Sequence, residues 1–306
     1  MLRKTTLILI SSLLFLACGK KEQTKQPSTE NEIYRVFVTI NPLKSIADSI
    51  SGDLAEVHVL IPPGADPHTY EPTPQDIRRL SDSAVLFTIG MGLDDWASKL
   101  ALAAEDGPRI VPVSVGVPKL PAVPERYLER LHQENKSPSQ GNPHIWLDPY
   151  IISDLVIPIM VRAFVAADPP NAGKYRANAD RISNQLKLSG EDIGKKLAPL
   201  SNKSILADHG AFAYFCRRYN IKMVDVLEPF PGQEPTPTLI SDIIKNAQGD
   251  NPVGIMVEPM VSSKPAEVVS NELNIPIIHV DPLGQQGEGY IELMERNTKA
   301  IIDATR

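Results

Sequence analysis

Two stretches of this chain repeat each other at a nearly constant distance, which restricts the possible folds more than any other feature. Val57-His-Val-Leu60 recurs as Val224-Asp-Val-Leu227, and Glu71-Pro-Thr-Pro74 recurs as Glu234-Pro-Thr-Pro237, at offsets of 167 and 163 residues. Around both copies, short β-rich runs alternate with helical patterns. In the first half the runs 34–40, 57–61, 84–89 and 109–113 read as strands, with helices over 42–50, 74–81 and 94–104 between them. In the second half strands fall at 204–207, 223–227, 253–257 and 276–280, with helices over 211–219, 236–246, 265–273 and 289–304. Aligning Ala84 with Val253 and Arg109 with Ile275 gives offsets of 169 and 166, so four strands keep nearly one spacing. The implied fold is α/β, with two similar βα lobes related by an internal repeat. The first copy is longer by four residues, all within Pro63 to Tyr70. An insertion confined to one loop of one copy points to a function for that loop.

Between the halves, Pro149 to Ala166 reads as an apolar helix capped by Asp148. After Pro169-Pro170 comes a longer amphipathic pattern, with Ala172, Tyr175, Ala179, Ile182, Leu186, Ile193 and Leu197 stepping mostly by three or four. Unbroken, it would be about 39 Å long; Gly190 suggests a kink. The N-terminus differs from the rest. Arg3 and Lys4 precede an apolar stretch from Leu7 to Leu16, too short to span a bilayer and read as a signal peptide. Leu14-Phe-Leu-Ala-Cys18 resembles a bacterial lipobox, in which Cys18 becomes the lipidated first residue. From Gly19 to Glu32 no side chain is apolar except Pro27, as in a tether. The chain thus divides into a signal (1–17), a tether (18–32), an N-terminal lobe (33–148), linking helices (149–202) and a C-terminal lobe (203–306). Loss of residues 1–17 removes Arg3 and Lys4 and takes the formal charge from −6 to −8, which argues against nucleic acid as a partner. With Cys18 taken up by the lipid, Cys216 is left without a cysteine partner and reads as a buried inert thiol.

Six histidines occupy positions 58, 68, 132, 144, 209 and 279. His58 and His279 lie inside strands and His132 in a charged loop, where packed or solvated side chains are the default. His68, His144 and His209 each fall just past the carboxyl end of a strand or in the loop after it, the rim where open parallel sheets bind ligands. Asp281 takes the same rim position after Ile277-Ile-His-Val280. If the lobes face each other, these four converge on the cleft, and three imidazoles with one carboxylate suit Zn²⁺, or less selectively Mn²⁺ or Fe²⁺. The gaps of 76, 65 and 72 residues do not by themselves separate ligands from packed histidines. Asp148, just before Pro149, reads as a helix cap. Glu71 and Asp208 stand near His68 and His209 as candidates to orient those rings.

Taken in order, Asp66-Pro-His68-Thr-Tyr-Glu71-Pro-Thr-Pro, Asn142-Pro-His144-Ile-Trp-Leu-Asp148-Pro, Ala207-Asp-His209-Gly-Ala-Phe, Glu234-Pro-Thr-Pro and Val280-Asp281-Pro-Leu-Gly284 resemble the signatures of the zinc/manganese solute-binding proteins of bacterial ABC transporters, from Ile33 to Arg306. The resemblance implies two (βα)₄ lobes with parallel sheets joined by one long backbone helix. It also implies one metal ion held by His68, His144, His209 and Asp281 as transported ligand, an ABC permease with its ATPase subunits as partners, a monomer, and an extracytoplasmic lipid-anchored location. His in the third position favours zinc over manganese or iron; a surface adhesin of the same fold is the further alternative. The loop Val115 to Asn142 has only His132, unlike the histidine-rich loop of many zinc members. No enzyme is expected, since neither HExxH nor G-x-S-x-G occurs. Binding needs neutral imidazoles, so affinity is expected to fall below the unperturbed His pKa of about 6.5.

Overall fold

The computed structural model describes residues 34–306 except 82, 105, 122–140, 202 and 231. The signal, Cys18, the tether and His132 lie outside the described residues. Two four-stranded sheets form, both wholly parallel. The first is built from β1 (Tyr34–Val38), β2 (Ala55–Val59), β3 (Ser83–Thr88) and β4 (Arg109–Pro112), in the order β2-β1-β3-β4. The second uses β5 (Ser204–Ala207), β6 (Lys222–Val226), β7 (Ile255–Val257) and β8 (Ile277–His279), in the order β6-β5-β7-β8. The repeat in the sequence is therefore a repeat of topology. Register places Phe87 with Val111 and Met256 with Ile278, so β4 and β8 match at an offset of 167, one residue from the alignment of Arg109 with Ile275.

Helices connect the strands as parallel pairing requires. The first lobe has α1 (Asn41–Ser51), α2 (Pro74–Leu80) and α3 (Asp95–Ala103). Proline in the first turn of α1 and α2 supplies a preset φ where no intrahelical N–H bond is lost. Thr73 and Asp76 close a capping box at the start of α2. The linking helices are α4 (Pro149–Ala167) and α5 (Ala172–Leu197), followed by α6 (Ala213–Arg218), α7 (Pro237–Ala247), α8 (Lys264–Leu273) and α9 (Tyr290–Ala304). Asp148 caps α4, accepting from the N–H groups of Tyr150 and Ile151 while Arg218 bonds the same carboxylate at 2.9 Å. The helix contains a π-helical stretch, Ile152–Val156.

α4 is long and apolar enough to cross a membrane by length and composition. Here Ile152, Val156, Ile157, Met160 and Phe164 bury its face in a core cluster that also holds Val36 and Phe87 of the first sheet and Ile205, Met256 and Ile278 of the second. One core is thus shared by both lobes. α5 packs against α1, α4 and α9 through Tyr175, Ala179, Ile182, Leu186, Gly190, Ile193 and Leu197. Gly190 fills the turn that the apolar pattern skips, and the helix runs through it without a break. A Cβ on it would stand 2.7 Å from Cε2 of Tyr150 and 3.1 Å from Cγ of Pro149, so the glycine permits close approach of α4 to α5. Each lobe adds a smaller outer core, around Leu80 and Leu100 in the first and Ile243 and Val269 in the second.

Candidate metal centre

His68 stands on the loop between β2 and α2 that carries the four extra residues. Asp66 shapes this loop, its Oδ1 accepting the N–H of His68 at 2.9 Å and its Oδ2 the hydroxyl of Thr69 at 3.2 Å. His144 follows β4 at the end of the first lobe. Oδ1 of Asn142 meets both its backbone N–H and its Nδ1 at 2.9 Å, while Nδ2 of Asn142 donates to the carbonyl of Gly210 in the second lobe at 2.7 Å. His209 follows β5 directly. Asp208 there accepts the N–H of His209 on Oδ1 and the N–H of Glu258 on Oδ2, each at 2.6 Å, tying the ends of β5 and β7 together.

The three rings point their Nε2 atoms at one another. Nε2 of His144 lies 3.2 Å from that of His68 and 3.1 Å from that of His209. Nitrogens bound tetrahedrally to one zinc at about 2.0–2.1 Å would stand about 3.3–3.4 Å apart, so both separations from His144 are close to a metal-ligand edge, and the three ligand atoms all lie within 4.8 Å of one another. Protonation supports the same reading. Asn142 Oδ1 can only accept, so Nδ1 of His144 carries the proton and Nε2 a lone pair. Oε1 of Glu258 stands 2.8 Å from Nδ1 of His209 as a buried ion-pair contact, and neither atom has another hydrogen-bond partner. That carboxylate keeps a proton on Nδ1 of His209, so that once the ring is neutral its lone pair lies on Nε2, facing that of His144. Two such lone pairs at 3.1 Å need a cation between them, either the proton that the raised pKa of His209 keeps there or a metal ion that replaces it.

Charge around the rings is uneven. Desolvation, then the nearby His209, lowers His68 to about 4, and desolvation holds His144 well below the usual imidazole value. For His209 burial also lowers the pKa, but Glu258 and Asp208 outweigh it and raise it to about 9. Asp208 is itself raised to about 7, by burial and then by Glu258. A cavity of about 190 Å³ opens beside the rings, lined among others by Asp66, Glu228, Glu234 and Glu258.

Of the four residues expected to converge, three do so and Asp281 does not join them. Pro282 and Leu283 line the cavity, but the Asp281 carboxylate accepts the N–H groups of Leu283 and Gly284 on Oδ1 and Arg296 Nη2 on Oδ2. Asp208 stands beside His209 as expected, bonding its backbone, whereas the ring's own partner is Glu258. Glu71 is exposed and is not among the cavity-lining residues; the loop carboxylates that engage neighbours are Asp66 and Asp76. His58 stacks on Phe37 and His279 is exposed. Cys216 is buried, with desolvation pushing its thiol up to about 12. Glu258 was missed, although the rim rule that selected His209 applies equally to the residue directly after Ile255–Val257.

Residues 36–304 match the family described as ZnuA, zinc-uptake complex component A, periplasmic. Among curated relatives, the manganese ABC transporter substrate-binding lipoprotein PsaA of Streptococcus pneumoniae is 30% identical over 328 residues, covering 98% of this chain and 97% of its own. The crystal structure of ZnuA is 28% identical with a TM-score of 0.76, over 90% of this chain and 100% of that one. The solute-binding protein FpvC of Pseudomonas aeruginosa in complex with Mn²⁺ is 27% identical with a TM-score of 0.78, over 90% and 99%.

Proposed function

The chain belongs to the ZnuA family, zinc-uptake complex component A, and from that premise we propose that it is the extracytoplasmic, lipid-anchored receptor of an ABC importer, capturing Zn²⁺ on His68, His144 and His209 and passing it to the permease and its ATPase. The observation that carries this reading is the convergence of three Nε2 atoms at 3.1–3.2 Å. An all-imidazole triad is a borderline-soft set that favours zinc over manganese, which prefers oxygen. Three imidazoles and a solvent ligand also occur in hydrolytic zinc centres; the receptor reading is supported by the family match over residues 36–304.

Delivery needs release, and the shared core limits how that happens. Trp146 Nε1 donates to the carbonyl of Pro282 at 2.7 Å and Tyr290 Oη to the carbonyl of Trp146 at 2.6 Å, both across the lobes. With these bonds and α5 in place, release proceeds by local shifts of the His68 loop and the 281–289 segment rather than by wide hinge opening. The deciding experiment is metal analysis of the purified chain followed by competitive Zn²⁺/Mn²⁺ titration. One ion per chain with zinc displacing manganese is expected. Manganese displacing zinc would make this a manganese receptor, as the relative PsaA is named, and absence of stoichiometric binding would end the receptor reading.

A further inference from the structure

The second lobe places a carboxylate next to the metal cavity and then keeps it occupied elsewhere. Asp281 is held on every side. Asn297, itself buried, accepts the backbone N–H of Asp281 at 2.9 Å and donates to its carbonyl at 2.7 Å. Side-chain Oδ1 takes two backbone N–H groups in a turn that Gly284 completes at φ +75°. Oδ2 takes Nη2 of Arg296 at 3.1 Å. Arg296 is in turn anchored by Glu288, which accepts from Nε at 2.7 Å and from Nη2 at 2.9 Å, and Glu288 also caps the N–H of Gln285 at 2.8 Å. With the backbone of residue 281 pinned by Asn297, and Pro282 and Leu283 lining the metal cavity next to it, the movement left to the carboxylate is rotation of its side chain.

We propose that Arg296, braced by Glu288, is a specificity-determining residue that withholds Asp281 from the metal and so biases the site towards zinc. The inference rests on the receptor reading above and deepens it. Zinc is satisfied by three imidazoles and one solvent oxygen. Manganese binds nitrogen sites weakly and depends on carboxylate oxygen, so it gains most from Asp281 and loses most while Asp281 stays on Arg296. The pair is charge-assisted and only partly exposed, with side-chain exposures of 39% for Arg296 and 15% for Asp281, which makes rotating the carboxylate away costly.

The test is a set of Zn²⁺ and Mn²⁺ titrations on the wild-type chain, R296Q, D281A and the double variant, with zinc-bound crystals of the wild type. In R296Q manganese should bind about tenfold tighter, the change expected from freeing one charge-assisted hydrogen bond, while zinc shifts less than about threefold. The double variant should lose the manganese gain, a dependence on Asp281 that a general loosening of the loop would not produce. D281A alone should leave zinc binding within about threefold, and zinc-bound crystals should keep Asp281 on Arg296. An unchanged Zn²⁺/Mn²⁺ ratio in R296Q, a manganese gain that survives in the double variant, or a zinc–Asp281 bond in wild-type crystals overturns the proposal. Should R296Q fail to fold, R296K supplies the same comparison, keeping the charge but losing the two-point grip on Glu288; it should show a smaller manganese gain in the same direction, and no gain counts against the proposal. Failure of the wild type to bind either ion would instead count against the receptor reading.

Discussion

In the first lobe Leu60 and Ile61 donate their N–H groups to the carbonyls of Val38 and Thr39, and in the second Leu227 and Glu228 donate to those of Ala207 and Asp208. Thr39 bonds Phe87 as Asp208 bonds Met256, and Val113 bonds Thr88 as Val280 bonds Val257. These matched bonds make Thr39, Ile61, Ile89 and Ser114 the counterparts of Asp208, Glu228, Glu258 and Asp281. Four neutral side chains on one rim thus face four carboxylates on the other, over the same topology. The first lobe's carboxylates near this rim are engaged locally, Asp94 by the N–H groups of Ile89 and Gly90 and the Thr39 hydroxyl, and Asp66, which lines the cavity, by the N–H of His68 and the Thr69 hydroxyl. One lobe therefore brings neutral donors, His68 and His144, and the other brings His209 together with the negative charge that attracts a cation. Desolvation keeps two imidazoles unprotonated, while the carboxylates Glu258 and Asp208 of the second lobe raise the third.

The largest effect should come from removing the donor that both lobes share. His144 lies between the other two rings, so His144→Ala should weaken zinc binding by more than about a hundredfold, beyond the 10–100-fold typical of outer-shell partners, in a chelator-competition titration. Matched rim positions break the symmetry next. Glu258→Gln should cost about 10–100-fold in zinc affinity, because the Nδ1 proton of His209 loses its anionic partner. Ile89→Val, at the equivalent place in the first lobe, should leave affinity unchanged and cost about 0.5–1.5 kcal/mol of stability, read by denaturant unfolding. Equal losses of binding from both would mean that the acidic rim has no special role.

The pH profile sharpens the same division. In the metal-free site His209, with a pKa raised to about 9, holds a proton at neutral pH that zinc must expel, while His68, lowered to about 4, holds none. Affinity should therefore keep rising from pH 7 to 9 by about tenfold per unit, and steepen below pH 7 as Asp208, raised to about 7, also takes up a proton. Loss at pH 5.5 agrees with the expectation from ordinary histidines; continued gain above pH 7 does not, and comes from Glu258. In Glu258→Gln the alkaline gain should largely vanish.

Much of this was legible in the sequence because the repeat and the rim are local features. Strands and helices were placed by alternation and by proline at first turns, and three histidines by their position after a strand. Asp281 obeys the same rule yet points its carboxylate elsewhere, since its partners Arg296 and Asn297 come from a helix packed behind it and no spacing shows which way a side chain turns. Glu258 belongs to no histidine motif, so its place directly after β7 is all that marks it in the sequence, and its burial shows only in the fold. Helix propensity alone makes Gly190 a kink, whereas the contact that explains it comes from Tyr150, forty residues earlier in the chain.

That glycine provides the smallest and cleanest comparison, between two positions on the one helix that spans both lobes. At Gly190 an added methyl meets Cε2 of Tyr150 at 2.7 Å. The ring cannot easily yield, because the Arg218 guanidinium stacks on it 4.5 Å from its centre while bonding Asp148. Gly190→Ala should therefore destabilise by about 1–3 kcal/mol despite its better helix propensity. At Gly173, in the first turn of α5, nothing lies within 4 Å of the built Cβ, so Gly173→Ala should stabilise by about 0.4–1 kcal/mol through lost freedom in the unfolded chain. Opposite shifts in thermal midpoint would show that the close approach of α4 and α5, rather than glycine flexibility, fixes the joint between the lobes. Shifts of the same sign would leave the glycine to be explained by the kink that the sequence suggested.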